Sequence, residues 1–296
     1  MRDVSAKTDT LRTAVAEARL RVSPGTIEMI RAGRVPKGDP IPVARIAGIA
    51  ATKLTPQIIP YCHPVPVQHA AVEIEMRETE MIVRATVKAV YRTGVEMEAL
   101  TAAAVAALNL YDILKMVDDE MVIQEVVLRE KTGGKSDLRR PSGLSAAVLV
   151  VSDRVSRGEA EDRSGRLLRE RLEGEGVAVT RLEVVPDEAA AIAQFVGGAT
   201  EDLVVSTGGT GVGPRDVTPE AVVPLLDREL PGVVAAIHRY SQDRLPTAML
   251  SRLVAGVRGD TVVLCLPGSP GAVADAMSAV FPGLLHAVEM VRGAGH

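Results

Sequence analysis

Residues 206–221, STGGTGVGPRDVTPEA, close an apolar run with four glycines and then pass into residues that start helices. Glycines let backbone N–H groups approach an anion, and Thr207 and Thr210 add hydroxyls. Ser206, Thr207, Gly208, Gly209, Thr210 and Gly211 therefore form a candidate phosphate cradle. Thr218 is placed as N-cap, with Pro219 at the first helical position and Glu220 just inside. A tight strand-to-helix turn accounts for the same glycines, and no Gly-Lys-Ser/Thr follows, which separates the loop from the Walker pattern. Arg215 supplies a cation for phosphate and Asp216 a carboxylate for Mg²⁺. Asp187, at the end of another expected strand, is a second carboxylate able to reach the same ion. A surface ion pair and a solvated turn are the plainer readings of these three.

A second set of reactive residues lies nearer the N-terminus. In PYCHPVPV, residues 60–67, three prolines stiffen a segment carrying Tyr61, Cys62 and His63. Neighbours on an extended segment point to opposite faces, so Cys62 and His63 do not make a nucleophilic dyad, while His63 remains a ligand-binding candidate. TGVEMEALT carries Glu96, Met97 and Glu98; YDILKMV carries Asp112 and Lys115, neighbours on one helix face that also suit a plain ion pair. On one straight helix residues 98 and 112 would be about 21 Å apart, too far for one small substrate. Either the helix starts late or a site is shared between subunits. Lys37, Lys131 and Lys135 stand beside glycines, suited to polyphosphate or to exposed solvation.

The elements that must position these residues fall into two halves of a 296-residue chain, about the length of two domains. Hydrophobic residues make up 47% and charged residues 24%, which excludes a disordered chain. A net charge of -4, with no Trp and two Phe, argues against a nucleic-acid groove, so no nucleic-acid partner is expected. Two cysteines make neither a disulfide framework nor a metal knuckle, and no run reaches the roughly 18 apolar residues of a membrane span. A cytoplasmic protein without a membrane partner is expected.

KTGGKSDLRRPSGLS, residues 131–145, interrupts the apolar pattern. We place the domains at 1–137 and 146–296, with 138–145 as linker. In the first, VEIEM and MIVRATVKAV read as a hairpin, TIEMIRAG, PVARIAGIAATK and EALTAAAVAALNLYDILKMV as helices, and MVIQEVVLRE as a strand. This is an α+β domain with an antiparallel sheet. In the second, AAVLVVSD, RSGRLLRERLEG, VAVTRLEVV, AAAIAQFVGG and DLVVSTGGTG follow a βαβαβ rhythm, and TVVLCLPG adds a strand. A three-layer, wound, mostly parallel α/β sheet follows. Ligands in such sheets sit beyond the C-terminal strand ends, where Asp153, Asp187, the glycine loop and Pro267 to Gly271 fall.

DVSAK, KGD, ARIAGI, IPYCHPVPV, TGVEMEALTAAAVAAL and KTGGKS, spread over residues 3–136, resemble the cyclic pyranopterin monophosphate synthases of the MoaC family. VVSDR, STGGTGVGPRDVTPEA and LPGSPGAV, within about 146–290, resemble the MoaB/MogA family of molybdopterin-binding and molybdopterin adenylyltransferase proteins. The chain thus resembles a fusion of two molybdenum cofactor enzymes. Tyr61 and Asp137 depart from the first family's usual Leu and Gly.

The first resemblance implies a ferredoxin-like domain that converts 3′,8-cyclo-7,8-dihydro-GTP to cyclic pyranopterin monophosphate and pyrophosphate. Asp112 and Lys115 would be its acid–base pair, with Lys37 and Lys131 around the triphosphate. Tyr61, Cys62, His63, Glu96, Met97 and Glu98 would line the pocket. It also implies a hexamer, a trimer of dimers, with sites between subunits. The second resemblance implies adenylylation of molybdopterin by ATP, with Mg²⁺ held by Asp187 and Asp216. Ser206 to Gly211, Arg215 and Ser269 would hold molybdopterin or nucleotide. The alternative is a chain whose first domain alone catalyses, the second being a molybdopterin-binding or assembly module.

Overall fold

The computed structural model describes residues 1–293, apart from the Ser136 side chain. Ser136 of KTGGKS, as a side chain, and the last three residues of the second expected domain lie outside that range. The chain divides into two compact units, Met1–Asp137 and the remainder from Leu138.

The first unit runs β1 (Thr10–Arg21), α1 (Pro24–Arg31), α2 (Pro40–Ile58), β2 (His69–Met76), β3 (Glu80–Tyr91), α3 (Glu96–Leu114) and β4 (Val122–Thr132). Its four strands pair antiparallel in the order β2-β3-β1-β4, the βαββαβ arrangement of a ferredoxin-like sheet. The sequence reading did not identify β1, the interior strand. TLRTAVAEARLR is rich in residues that favour helices, but Ala14, Ala16, Ala18 and Leu20 alternate and are fully buried. Pairing on both sides, with β3 and β4, lets that period-two face win over local propensity.

Alanines dominate the buried face of α3, and their small size lets α2 come close: a Cβ on Gly48 of α2 would lie 3.0 Å from the Ala102 carbonyl oxygen. Contrary to the sequence expectation, α3 is by itself long and apolar enough to cross a membrane. Its hydropathy comes from alanines, many of which pack into this core.

The second unit contains β5 (Ser145–Val151), α4 (Asp153–Ser156), α5 (Ser164–Gly174), β6 (Ala178–Val185), α6 (Ala189–Gly197), β7 (Leu203–Thr207) and α7 (Thr218–Val222). It continues through β8 (Arg228–Glu229), α8 (Pro231–Gln242), β9 (Val254–Arg258), β10 (Thr261–Leu266), α9 (Pro270–Val280) and α10 (Leu285–Val291). The sheet order is β6-β5-β7-β10-β9-β8; the first four strands are parallel, and β9 pairs antiparallel with both β10 and β8. Two buried clusters cover opposite faces, one with Leu168, Leu172, Val273 and Leu285 of α5, α9 and α10, the other with Ile192, Phe195 and Val222 of α6 and α7. This three-layer α/β arrangement puts the ends of β5, β6, β7 and β10 on one edge.

Asp118 pins the first unit's α1 to the chain after α3. Its buried carboxylate accepts from Ser23 N (2.7 Å), Ser23 Oγ (3.1 Å), Thr26 Oγ1 (2.7 Å) and Glu120 N (3.1 Å). Burial opposes its ionisation, but the hydrogen bonds led by Ser23 N–H win and hold its pKa below the ordinary value. Asp118→Ala should lower stability by about 3 kcal/mol in urea unfolding at neutral pH, because four hydrogen bonds, one of them from the buried Thr26 hydroxyl, lose their acceptor. A carboxylate whose pKa is depressed on folding stabilises above its unfolded pKa, about 3.9, and loses that contribution as pH falls through the folded value. The gap between parent and variant should therefore narrow as pH falls through the folded value. A gap that does not change with pH would contradict the ionised role of Asp118.

Candidate functional sites

In the first unit the expected residues gather at the two ends of α3. At its C-terminal end, Asp112 Oδ1 lies 2.7 Å from Lys115 Nζ and Oδ2 lies 3.2 Å from Lys37 Nζ, which also donates to the Asp112 carbonyl at 2.9 Å. Hydrogen bonds from Lys115 and then Lys37 hold Asp112 below the usual carboxylate range, and Asp112 in turn holds Lys115 above its ordinary value. Lys115 is therefore a protonated donor in this state. A lysine that carries protons near neutrality needs a lowered pKa, and the pairing with Asp112 drives Lys115 the other way.

At the N-terminal end of α3, Lys131 Nζ pairs with Glu96 Oε1 at 2.5 Å. Burial opposes ionisation of Glu96, but the Lys131 hydrogen bond keeps its pKa below normal. Glu98 is buried and forms no ion pair among the described residues; desolvation, then the neighbouring Glu96 charge, push its pKa up. Cys62 lies within reach of both charges, and its thiol is pushed up by burial, then by Glu98 and Glu96, so it is a poor thiolate nucleophile. Tyr61 and Met97 are exposed, and His63 lies within electrostatic reach of Asp3.

Sequence reasoning missed Arg12, which carries no motif. Its guanidinium donates to the carbonyls of Tyr91, Arg92 and Gly133 and so staples the turn after Lys131. Gly133 and Gly134, with φ of 101° and 98°, leave the space: a Cβ on Gly134 would fall 1.9 Å from Arg12 Nη1.

The two ends do not meet within one chain. The helix is continuous from Glu96 to Leu114, so a late start is ruled out, and sixteen residues separate Glu96 from Asp112, about 24 Å along the axis.

In the second unit the strand ends enclose a cavity of about 660 Å³, lined by Thr207 to Val212, Asp187, Asp216, Ser251 and Ser269 among others. The glycine loop is held against β5. Gly208 has φ 107°, and a Cβ there would fall 2.1 Å from the Val151 carbonyl oxygen. Thr218 does not act as N-cap. Helix α7 starts at Thr218 with Val217 as cap, and the Thr218 hydroxyl donates to Gly208 O (3.0 Å) while its N–H donates to Gly209 O (3.0 Å).

Thr207 Oγ1 donates to Pro267 O (2.7 Å), and Ser269 caps α9 by accepting from Ala272 N. Ser206 is placed differently from the expectation: it is fully buried within β7, in register with Cys265 of β10, and does not line the cavity.

Arg252 and Ser251 are the residues sequence reasoning missed here. Arg252 donates to Gly211 O (2.7 Å) and Asp216 O (2.6 Å) and pairs with Glu220; Ser251 Oγ bonds Thr210 Oγ1 at 2.8 Å. They lie 41 residues from the loop they brace, so no local spacing marks them.

Asp153 and Asp187 interlock, each accepting the other's backbone N–H at 2.9 and 3.1 Å. Arg215 grips Asp153 through Nε (3.0 Å) and Nη2 (2.8 Å), holding that carboxyl below its usual range. The guanidinium expected to meet phosphate is thus committed to a carboxylate, and Arg215 does not line the cavity. Burial, with the charges of Asp153 and Asp216, pushes Asp187 up. A crowded pair of oxygen donors, Asp187 and Asp216, fits a hard cation such as Mg²⁺, which draws its other ligands from water and phosphate. Among the described residues no group of three or more His, Cys, Asp or Glu side chains could hold a metal, so a fully protein-built metal cage is absent there.

Comparison with known proteins matches residues 1–134 to the MoaC family and residues 147–286 to the model described as a probable molybdopterin binding domain. A molybdenum cofactor biosynthesis bifunctional protein of Chlorobaculum tepidum is 44% identical over 100% of this chain and 96% of its own length; one of Synechococcus elongatus is 37% identical over 100% and 98%. A cyclic pyranopterin monophosphate synthase of Geobacter metallireducens is 54% identical over 46% of this chain and 86% of its own. The solved molybdopterin biosynthesis enzyme MoaB of Thermus thermophilus shares 42% identity over 51% of this chain and 98% of its own, with a TM-score of 0.49. Full-length similarity to two fused relatives, with each half matched to its own model, shows that the chain belongs to the family of bifunctional molybdenum cofactor biosynthesis proteins, with a MoaC unit followed by a MoaB/MogA-type unit.

Proposed function

We propose that the first unit converts 3′,8-cyclo-7,8-dihydro-GTP to cyclic pyranopterin monophosphate, closing a cyclic phosphate and releasing pyrophosphate, at a site completed by a second copy of the chain. The observation that carries this is the 24 Å between the Lys37–Asp112–Lys115 cluster and the Lys131–Glu96–Glu98 cluster on one continuous helix. One copy would supply Asp112 with Lys115 and Lys37, the other Glu98, whose pKa burial raises, and Lys131 for the triphosphate. Val43, Ile46, Leu54 and Ile58 support a partner copy, since they form one exposed apolar stripe along α2.

For the second unit we propose adenylylation of molybdopterin. The terminal phosphate of molybdopterin attacks the α-phosphorus of ATP, and the bond to pyrophosphate breaks. The cavity bounded by the glycine loop, with Asp187 and Asp216 in its wall, supports this. Magnesium held by these two carboxylates would neutralise the phosphates. The loop's backbone N–H groups would orient them, Arg252 would keep the loop in shape, and Arg215 would fix Asp187 through Asp153.

Asp112→Ala and Lys131→Ala should each lower cyclic pyranopterin formation by about 100-fold or more. Co-expressed, the two variants should recover roughly a quarter of the parent rate, because half of randomly mixed dimers carry one intact and one doubly damaged site. No recovery would place the whole site within one chain. Asp216→Asn keeps an oxygen for the Gly213 N–H that Asp216 Oδ2 now accepts at 2.8 Å. It should lower adenylylated molybdopterin by about two orders of magnitude and leave the synthase rate unchanged. Unaltered adenylylation would remove Asp216 from the metal site.

A further inference from the structure

The second unit's cavity is rich in carboxylates and short of cations. Glu161, Asp162, Asp187 and Asp216 line it, and the last two form no ion pair among the described residues. Three nearby arginines are already engaged: Arg215 by Asp153, Arg252 by Glu220 and the loop carbonyls, and Arg157 by Glu159. Arg163 differs. It is the one arginine or lysine that lines the cavity, it is exposed, and no carboxylate partners it among the described residues.

Its place is fixed by the next turn of chain. Gly165, in the first turn of α5, packs so closely that a Cβ would fall 2.4 Å from both Asp162 Oδ2 and Val150 Cγ2, and its N–H donates to Asp162 Oδ1 at 2.7 Å. The backbone that carries Arg163 is thereby clamped to the end of β5, in the lining of the cavity that the glycine loop also borders.

A glycine loop offers dipoles but no net charge, and a magnesium-bound nucleoside triphosphate remains an anion. We propose that Arg163, and not Arg215, is the guanidinium that binds the polyphosphate of the nucleotide in this cavity. Its planar fork suits two phosphate oxygens at once. When the bond from the α-phosphorus to the leaving pyrophosphate breaks, the electron pair stays on pyrophosphate oxygen, and Arg163 neutralises that charge. This rests on the adenylyl-transfer reading of the second unit and adds the residue that meets the leaving group.

The test is calorimetric titration of the full chain with α,β-methylene-ATP and Mg²⁺. The first unit is identical in every variant, so differences report on the second. Arg163→Gln should raise Kd about tenfold or more, and Arg163→Lys by less. Arg154→Gln, which removes an exposed arginine of α4 outside the cavity wall, should bind as the parent does. The thermal midpoint of Arg163→Gln should match the parent, since that side chain has no carboxylate partner to lose. Parent-like affinity in Arg163→Gln, equal weakening in Arg154→Gln, or no binding by the parent would each overturn the assignment. Arg163-dependent binding without adenylyl transfer would uphold this assignment while removing the transferase reading.

Discussion

An unbroken α-helix cannot shorten the distance between its ends, and the first unit is organised around that constraint. Its α3 advances a fixed rise per residue and is locked against the sheet by Ala99, Ala102, Ala103, Ala106 and Ala107. Two charge clusters of different character therefore stay apart: Asp112 between two lysines, and a buried Glu98 that forms no ion pair among the described residues while Lys131 pairs with Glu96. Placing two carboxylates whose pKa values are pushed in opposite directions in one site is a way to divide acid and base roles. In the proposed site the two would reach each other only across copies. The exposed stripe on α2 is the apolar surface such contact would use.

The second unit meets a different constraint, the crowding of carboxylates at the ends of parallel strands. Asp153 is relieved by Arg215, and its interlock with Asp187 turns that relief into position, since each accepts the other's backbone N–H. Among the described residues Asp187 and Asp216 form no ion pair. Burial and the neighbouring carboxylates oppose ionisation of the half-buried Asp187, a cost that a divalent ion would relieve, which links this geometry to the chemistry proposed for it. The glycine loop answers with backbone alone. Its close approach to Val151 excludes any side chain at Gly208, and Arg252 holds the far side.

Much of this was legible in the residues. The hairpin, the alanine-rich helix and the run of parallel strands follow from periodicity and composition, and residues 207–211 line one cavity together with Asp187 and Asp216. What was not legible arises from contacts distant in sequence. Strand β1 reads locally as helix until two neighbours pair with it. Arg12, Ser251 and Arg252 carry no motif because they brace loops 41 or more residues away. Arg215 looked free for phosphate because nothing in its own segment announces Asp153, and Ser206 looked like part of the cradle although strand alternation turns it inward. The helix start at Thr218 was misjudged by one residue, since its hydroxyl serves the loop before it.

The two-reaction reading is tested most directly by giving one preparation of the full chain both sets of substrates separately and measuring products. With 3′,8-cyclo-7,8-dihydro-GTP, it should yield cyclic pyranopterin monophosphate and an equal amount of pyrophosphate. With molybdopterin and Mg·ATP, it should yield adenylylated molybdopterin and again an equal amount of pyrophosphate. Tight molybdopterin binding with no adenylylated product would contradict a second catalytic site and leave one enzyme carrying a binding module.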